Sequence, residues 1–172
     1  FFAIFLGSRH VVTPIAVIYL LRWLEFRVMF GAGLIKLRGD PCWRDLTCLD
    51  YHYQTQPIPN PLSPLFHFMP HWMHAGGVLF NHFVELICPF LLFAGRRARH
   101  AAAAVMAIFQ VLLILSGNLS FLNYLTLIPI LACFDDGVWS RNLPRAVLDG
   151  ARPAQAARPT TLRSGVAWAR ET

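Results

Sequence analysis

The sequence predicts an all-α, polytopic transmembrane helical bundle with a long proline-rich extracytoplasmic loop. Two observations predict it. Of 172 residues, 56% are hydrophobic and 14% charged, where a soluble domain carries about a quarter charged residues. The apolar residues also gather into long blocks, and the mean hydropathy is +0.48, which suits a bilayer better than the mixed surface of a globule. Blocks at about 11–36, 75–94, 100–117 and 119–134 read as membrane helices, with 38–74 as the outer loop. Residues 1–10 read as the end of an upstream helix and a cytoplasmic link. With no initiator Met and no signal peptide, the chain reads as a piece of a longer protein.

Charge placement sets the orientation. The formal charge is +6, and Lys36 is the one lysine among the 15 basic residues. The short link between the second and third blocks holds Arg96, Arg97 and Arg99, which places it on the cytoplasmic side. Alternation then puts 38–74 outside and the Arg-rich tail inside. That tail, 138–172, is rich in Arg, Ala and Pro and reads as disordered or as a linker. Its arginines lack interleaved aromatics, so nucleic acid is not expected as a partner. The lipid bilayer is.

The first block, 11–36, is long enough to span with some tilt. Pro14 falls in its first turn, where a missing N–H costs nothing. At 3.6 residues per turn, Arg22, Glu25 and Lys36 share one face and Arg27 points to the opposite side. Such a stripe of charge must face protein or a water-filled cavity. Outside, 38–74 is dense in Pro, Asn and aromatic residues. Its prolines, Pro57, Pro59, Pro61 and Pro64, forbid a helix and give an extended path. Two readings stand: a loop lying on the membrane with its rings in the headgroup layer, or a lid over a cavity. Asp40, Trp43, Tyr51, His52, Tyr53, Gln56 and Asn60 are its candidate cavity residues. Cys42 and Cys48 lie here too, either disulfide-bonded on an oxidising face or as two free thiols.

In the block at 75–94, preceded by His74, one helical arc carries His74, Asn81, His82 and Glu85 and the other faces are apolar. One polar face on a spanning helix marks the bundle interior. His82 and Glu85, one turn apart, are open to three readings: a buried hydrogen-bonded pair, a proton relay, or metal ligands. No third and fourth ligand sit at a recognisable spacing, so no metal is expected. The next block opens with the small residues Ala101–Ala104, which let helices approach closely, and ends in the turn signature Ser116-Gly117-Asn118. The last block is short, with Asn123 and Thr126 on one face and Pro129 as a kink. Glu25, Lys36, Asn81, His82, Glu85, Asn118 and Asn123 form the expected polar lining.

Three stretches carry a family resemblance. "FRVMFGAGLIKLRGDPCWRDLTCLDYHYQTQPIPNP" (Phe26 to Pro61), "NHFVEL" (Asn81 to Leu86) and "SGNLSFLNYLTL" (Ser116 to Leu127) resemble, in order, the signatures of the lipase maturation factor family. The resemblance covers about residues 20–137. It implies a polytopic membrane protein that helps secreted lipases fold and assemble, in the endoplasmic reticulum of animals, with an exported lipase as client. The Arg- and Ala-rich composition points to a high-GC bacterium, hence to an inner membrane with the loop in the periplasm. "GAGLIKL" (Gly31 to Leu37) followed by Trp43 is more distantly similar to the vitamin K-dependent carboxylase group. That resemblance implies the alternative, a membrane enzyme acting on a quinone-like or lipidic substrate. Lys36 would be its general base and His82 and Glu85 its relay. The bland reading of Lys36 is a helix-end lysine snorkelling to the headgroups. No nucleophile elbow, phosphate loop or CxxC pair is present, so the chain is not itself a lipase. No cofactor is expected.

Overall fold

The computed structural model describes residues 13–56, 58–117 and 121–147, and every regular element among them is helical. The expected upstream helix end, Pro57, Asn118 and the tail from 148 onward lie outside the described residues. Residues Tyr19–Asp135 form one compact unit.

Helix α1, Ile15–Arg38, starts directly after Pro14, whose carbonyl accepts from the Val17 N–H. It ends with Lys36 and Arg38 in its last turn, where cations oppose the negative end of the helix dipole. Residues 38–74 depart from the expected extended path. They hold a 3-10 turn, Pro41–Trp43, and two short helices, α2 (Cys48–His52) and α3 (Ser63–His67). Each is compatible with its prolines by position. Pro41 opens the turn and Pro64 sits in the first turn of α3, places where the missing N–H has no intrahelical partner. The Asp40 carboxylate accepts from the Cys42 N–H at 2.9 Å and caps the turn. Cys42 and Cys48 form a disulfide, with Cα atoms 4.7 Å apart.

The expected helix at 75–94 is built from three consecutive pieces. Helix α4 runs His71–His82, a π-helical turn covers Phe83–Ile87, and α5 runs Cys88–Leu91. Pro89 supplies the reason. It cannot donate to the Glu85 carbonyl and its ring crowds that carbonyl, so the turn before it widens. The Cys88 N–H then reaches the Phe83 carbonyl, five residues back. After a tight link come α6, Arg96–Ser116, and α7, Leu122–Leu131. A further helix, α8 (Asp136–Asn142), lies in the chain's other unit and buries none of its residues.

Helix α6 packs on α7, on α5 and on the π-turn. Ala102 and Ala103, both buried, let the backbones come close. Met29, Val84, Cys88, Met106 and Ile130 fill the core between them. Along α1, Phe26 and Phe30 meet the edge of Phe90, each with ring centroids 5.1 Å apart. Gly33 makes the approach of α1 to the π-turn possible: a Cβ there would lie 2.6 Å from Leu86 Cδ2.

Four complete spans are expected from the sequence. Among the described residues, α6 alone is both long and apolar enough to cross a membrane by itself. Helix α1 has the length but carries Arg22, Glu25, Arg27, Lys36 and Arg38. At about 1.5 Å per residue, the 10 residues of α7 reach about half the hydrocarbon thickness.

Candidate functional site

A cavity of about 510 Å³ opens between α1, α2, α4, the π-turn, α6 and α7. Lys36 comes to it from the last turn of α1. Its Nζ donates to Glu85 Oε1 at 2.6 Å and to Asn81 Oδ1 at 2.8 Å, and sits 4.8 Å from the centre of the Trp43 ring. The π-turn is what aims Glu85 at the lysine, and the Glu85 side chain is only 4% exposed. A charge pair this deep holds together only where further hydrogen bonds and a ring share the work of solvation.

The segment 38–74 closes over this pair. Trp43, His52 and Tyr53 line the cavity. Burial, aided by the charge of Lys36, pushes the His52 imidazole below its ordinary value, and burial pushes the Tyr53 hydroxyl up. Two anchors fix the segment. At the first, the Asn60 amide donates to the carbonyls of Ile114 (3.0 Å) and Leu115 (2.9 Å), and the Ser63 hydroxyl donates to that of Ser116 at 2.8 Å. These are carbonyls of the last turn of α6, which have no partner within their own helix. Gln56 packs against Gly117, in the place a Cβ would take. At the second anchor, Asp50 of α2 accepts from His71 Nδ1 (2.8 Å) and His74 Nδ1 (2.6 Å) of α4. His74 Nε2 donates to the Phe66 carbonyl at 2.9 Å. The hydrogen bond from His74 holds the Asp50 carboxyl below the usual carboxylate range, against the opposing effect of burial, with His71 adding to it. The sequence offered one signal for this anchor, His71 and His74 a turn apart on one helix. Asp50 had none.

The residues expected from the sequence are distributed as follows. Lys36, Asn81, Glu85, Asn123, Trp43, His52 and Tyr53 meet around the cavity. His82 does not pair with Glu85. Its Nε2 contacts the Trp43 carbonyl at 2.9 Å, so the two groups proposed as a relay serve different partners. Glu25 is fully buried away from the cavity lining, with neither carboxylate oxygen hydrogen-bonded. Arg22 faces the Tyr19 ring, 5.3 Å from its centre. The expected stripe is therefore split, because about four and three turns of helix separate Arg22 and Glu25, respectively, from Lys36. Asp40 caps a turn, Tyr51 is exposed, and Gln56 and Asn60 act as packing and anchor groups. No group of three or more potential metal ligands occurs among the described residues. Lys36 Nζ is in contact with a carboxylate, an amide oxygen and a ring.

Residues 1–141 match the family described as "Lipase maturation factor transmembrane domain". Lipase maturation factor 1 of Homo sapiens is 51% identical over 158 residues, which is 88% of this chain and 28% of the human protein. Lipase maturation factor 1 of Bos taurus is 57% identical over 128 residues, 74% of this chain and 23% of the bovine one. Lipase maturation factor 2 of Rattus norvegicus is 42% identical over 120 residues, 69% of this chain and 17% of the rat one. The chain thus spans about a quarter of the length of the first two. No solved structure matches.

Proposed function

This chain belongs to the lipase maturation factor family, and on that premise we propose that it is the membrane-embedded part of a factor that matures exported lipases. The observation that carries the reading is the match over residues 1–141 to a family whose similar members bear that name. We place α1, the α4–α5 rod, α6 and α7 in the bilayer, so that the chain is polytopic. Pairing Lys36 with Glu85 lowers the cost of carrying charge there. Arg96, Arg97 and Arg99 mark the cytoplasmic side. Segment 38–74, with its Cys42–Cys48 disulfide, faces the oxidising side, a bacterial periplasm or an endoplasmic reticulum lumen.

On that side the segment presents Ile58, Leu65, Phe68 and Trp72, each at least 63% exposed. Large apolar groups held out in this way suit contact with an incompletely folded client at the membrane surface. The test is the specific activity of a secreted lipase in cells with the full-length gene deleted and then restored. Deletion lowers activity per secreted molecule, and wild type and Lys36→Arg both restore it, because arginine keeps the charge that holds Glu85. Unchanged lipase activity on deletion overturns the reading. Restoration by wild type alone would return Lys36 to a chemical role, since arginine cannot act as a base.

A further inference from the structure

The cavity's lining is mostly apolar, with flexible Met29, Met69 and Met73 beside Phe80, Phe109 and Leu113. Methionine side chains of this kind adapt to irregular apolar partners. Its volume of about 510 Å³ falls within the roughly 300–1,000 Å³ of small-molecule sites. Part of the rim is itself apolar and exposed: Met73, Leu112 and Leu122 are 39%, 39% and 48% accessible. A ligand reaching the cavity past these groups would come from an apolar surrounding.

The polar atoms say what the other end of that ligand carries. Asn81 Nδ2, Glu85 Oε2, Gln110 Oε1 and Asn123 Nδ2 all belong to lining residues and make no hydrogen bond within the protein. Asn81, Glu85 and Gln110 are 5%, 3% and 4% exposed. Buried polar groups are nearly always hydrogen-bonded, and here two offer N–H donors and two offer acceptors. Their charge is already balanced. Lys36 is matched by Glu85 and His74 by Asp50, and burial disfavours a charge on His52. A charged head would enter with no counter-charge free to meet it, which disfavours its binding.

We propose that the cavity binds a neutral, single-chain lipid whose small head carries both hydroxyl donors and a carbonyl acceptor, as in a monoacylglycerol. The chain lies against the methionines and Phe80 and Phe109. The head's hydroxyls donate to Glu85 and Gln110, and its carbonyl accepts from Asn81 or Asn123. This assignment rests on the cavity and does not depend on the client being a lipase.

The test uses the full-length protein in detergent and a monooleoylglycerol analogue with a photoreactive diazirine in its chain. The expected result is saturable labelling of peptides carrying Met73, Phe80 or Phe109. Unlabelled monooleoylglycerol should compete at about a tenth of the concentration needed for oleate or oleylamine, the penalty for bringing in a charge. Ala32→Phe, which fills the cavity, should cut labelling several-fold while the Cys42–Cys48 disulfide and the elution profile stay as in wild type. Should that variant fail to fold, Gln110→Leu is the substitute. It should weaken competition by monooleoylglycerol several-fold and leave competition by a plain long-chain hydrocarbon unchanged. Labelling that does not saturate, equal competition by oleate, or labelling undiminished in the variant that folds would each overturn the proposal. Lipase activity lost on gene deletion without saturable labelling would leave the maturation reading standing and remove this one.

Discussion

Glu85 and Asp135 each hold basic side chains, and they do so in different settings. Glu85 is buried and meets Lys36 in the cavity, 45 to 49 residues of chain being closed by the contacts of Lys36 with Asn81 and Glu85. Asp135 lies at the other end of the α6–α7 hairpin, where it meets Arg96 Nε at 2.7 Å, Arg99, and His100 Nε2 at 3.2 Å. Arg96 is 65% exposed there, while Arg99, His100 and Asp135 are 13%, 20% and 28% exposed, so the cluster is partly buried and open to water on one side. Glu85 is 4% exposed and, among the described residues, is the one carboxylate that meets Lys36, whereas Asp135 is 28% exposed and shares three basic side chains. The difference teaches where this chain concentrates its constraints. Water can reach Asp135 and Arg96 and take the place of a missing partner, whereas nothing replaces Glu85.

The largest effect should therefore follow Glu85→Leu. Lys36, partly buried, would keep its charge with only the Asn81 amide and the Trp43 ring for company, and breaking a buried pair costs about 3–5 kcal/mol. Thermal unfolding in detergent should show a large drop. The double variant Lys36→Met with Glu85→Leu should recover most of it, since apolar replacement of both partners is close to neutral. Failure of the double variant to recover would mean that the pair is needed for more than charge balance.

An intermediate effect is expected at the anchor of the Pro-rich segment. Asn60→Ala removes two hydrogen bonds to α6 carbonyls, each worth about 1 kcal/mol. Hydrogen exchange should rise in residues 54–67 and not in α6 upstream of its last turn. Exchange that rises uniformly would show that the segment and the bundle open together.

The smallest effect belongs to Asp135→Asn, about 1 kcal/mol, because water reaches Asp135 and Arg96 and the amide oxygen still accepts a hydrogen bond. Its pH dependence has a definite sign. Partial burial pushes the Asp135 carboxyl up, but Arg99, His100 and Arg96 outweigh it and hold the group below its ordinary value. The stability it adds is thus complete above the unfolded value of about 3.9 and is lost as pH falls through the lowered folded value. Wild type and Asp135→Asn should converge in acid-unfolding curves below that range. A gap that persists in strong acid would break the distinction between the two regions.

Much of the cavity was legible in the sequence. Polar residues on one arc of an apolar helix identify Asn81 and Glu85 as interior, and a lone lysine at the end of a charged helix identifies Lys36. Helix periodicity overreached in two places. It set His82 beside Glu85, but Pro89 forces a π-turn between them and their partners diverge. It set Arg22 and Glu25 on the face of Lys36, but a shared face about three to four turns apart is not a shared site. Proline density in the outer segment was read as extended structure, although Pro41 and Pro64 occupy first-turn positions that suit helices.

The sequence by itself determined the helical class, the apolar character of the blocks, several polar residues of the cavity and the family, because these depend on composition, period and motif. Tertiary structure alone decided which charges meet. The Lys36–Glu85 pair, the Asp50–His71–His74 anchor and the capping of α6 by Asn60 and Ser63 each join distant stretches of chain. Such contacts depend on how helices are spaced and rotated against one another. Pro89 widens its own turn and Gly33 permits a close approach, but which distant residues then meet is not encoded in any local pattern.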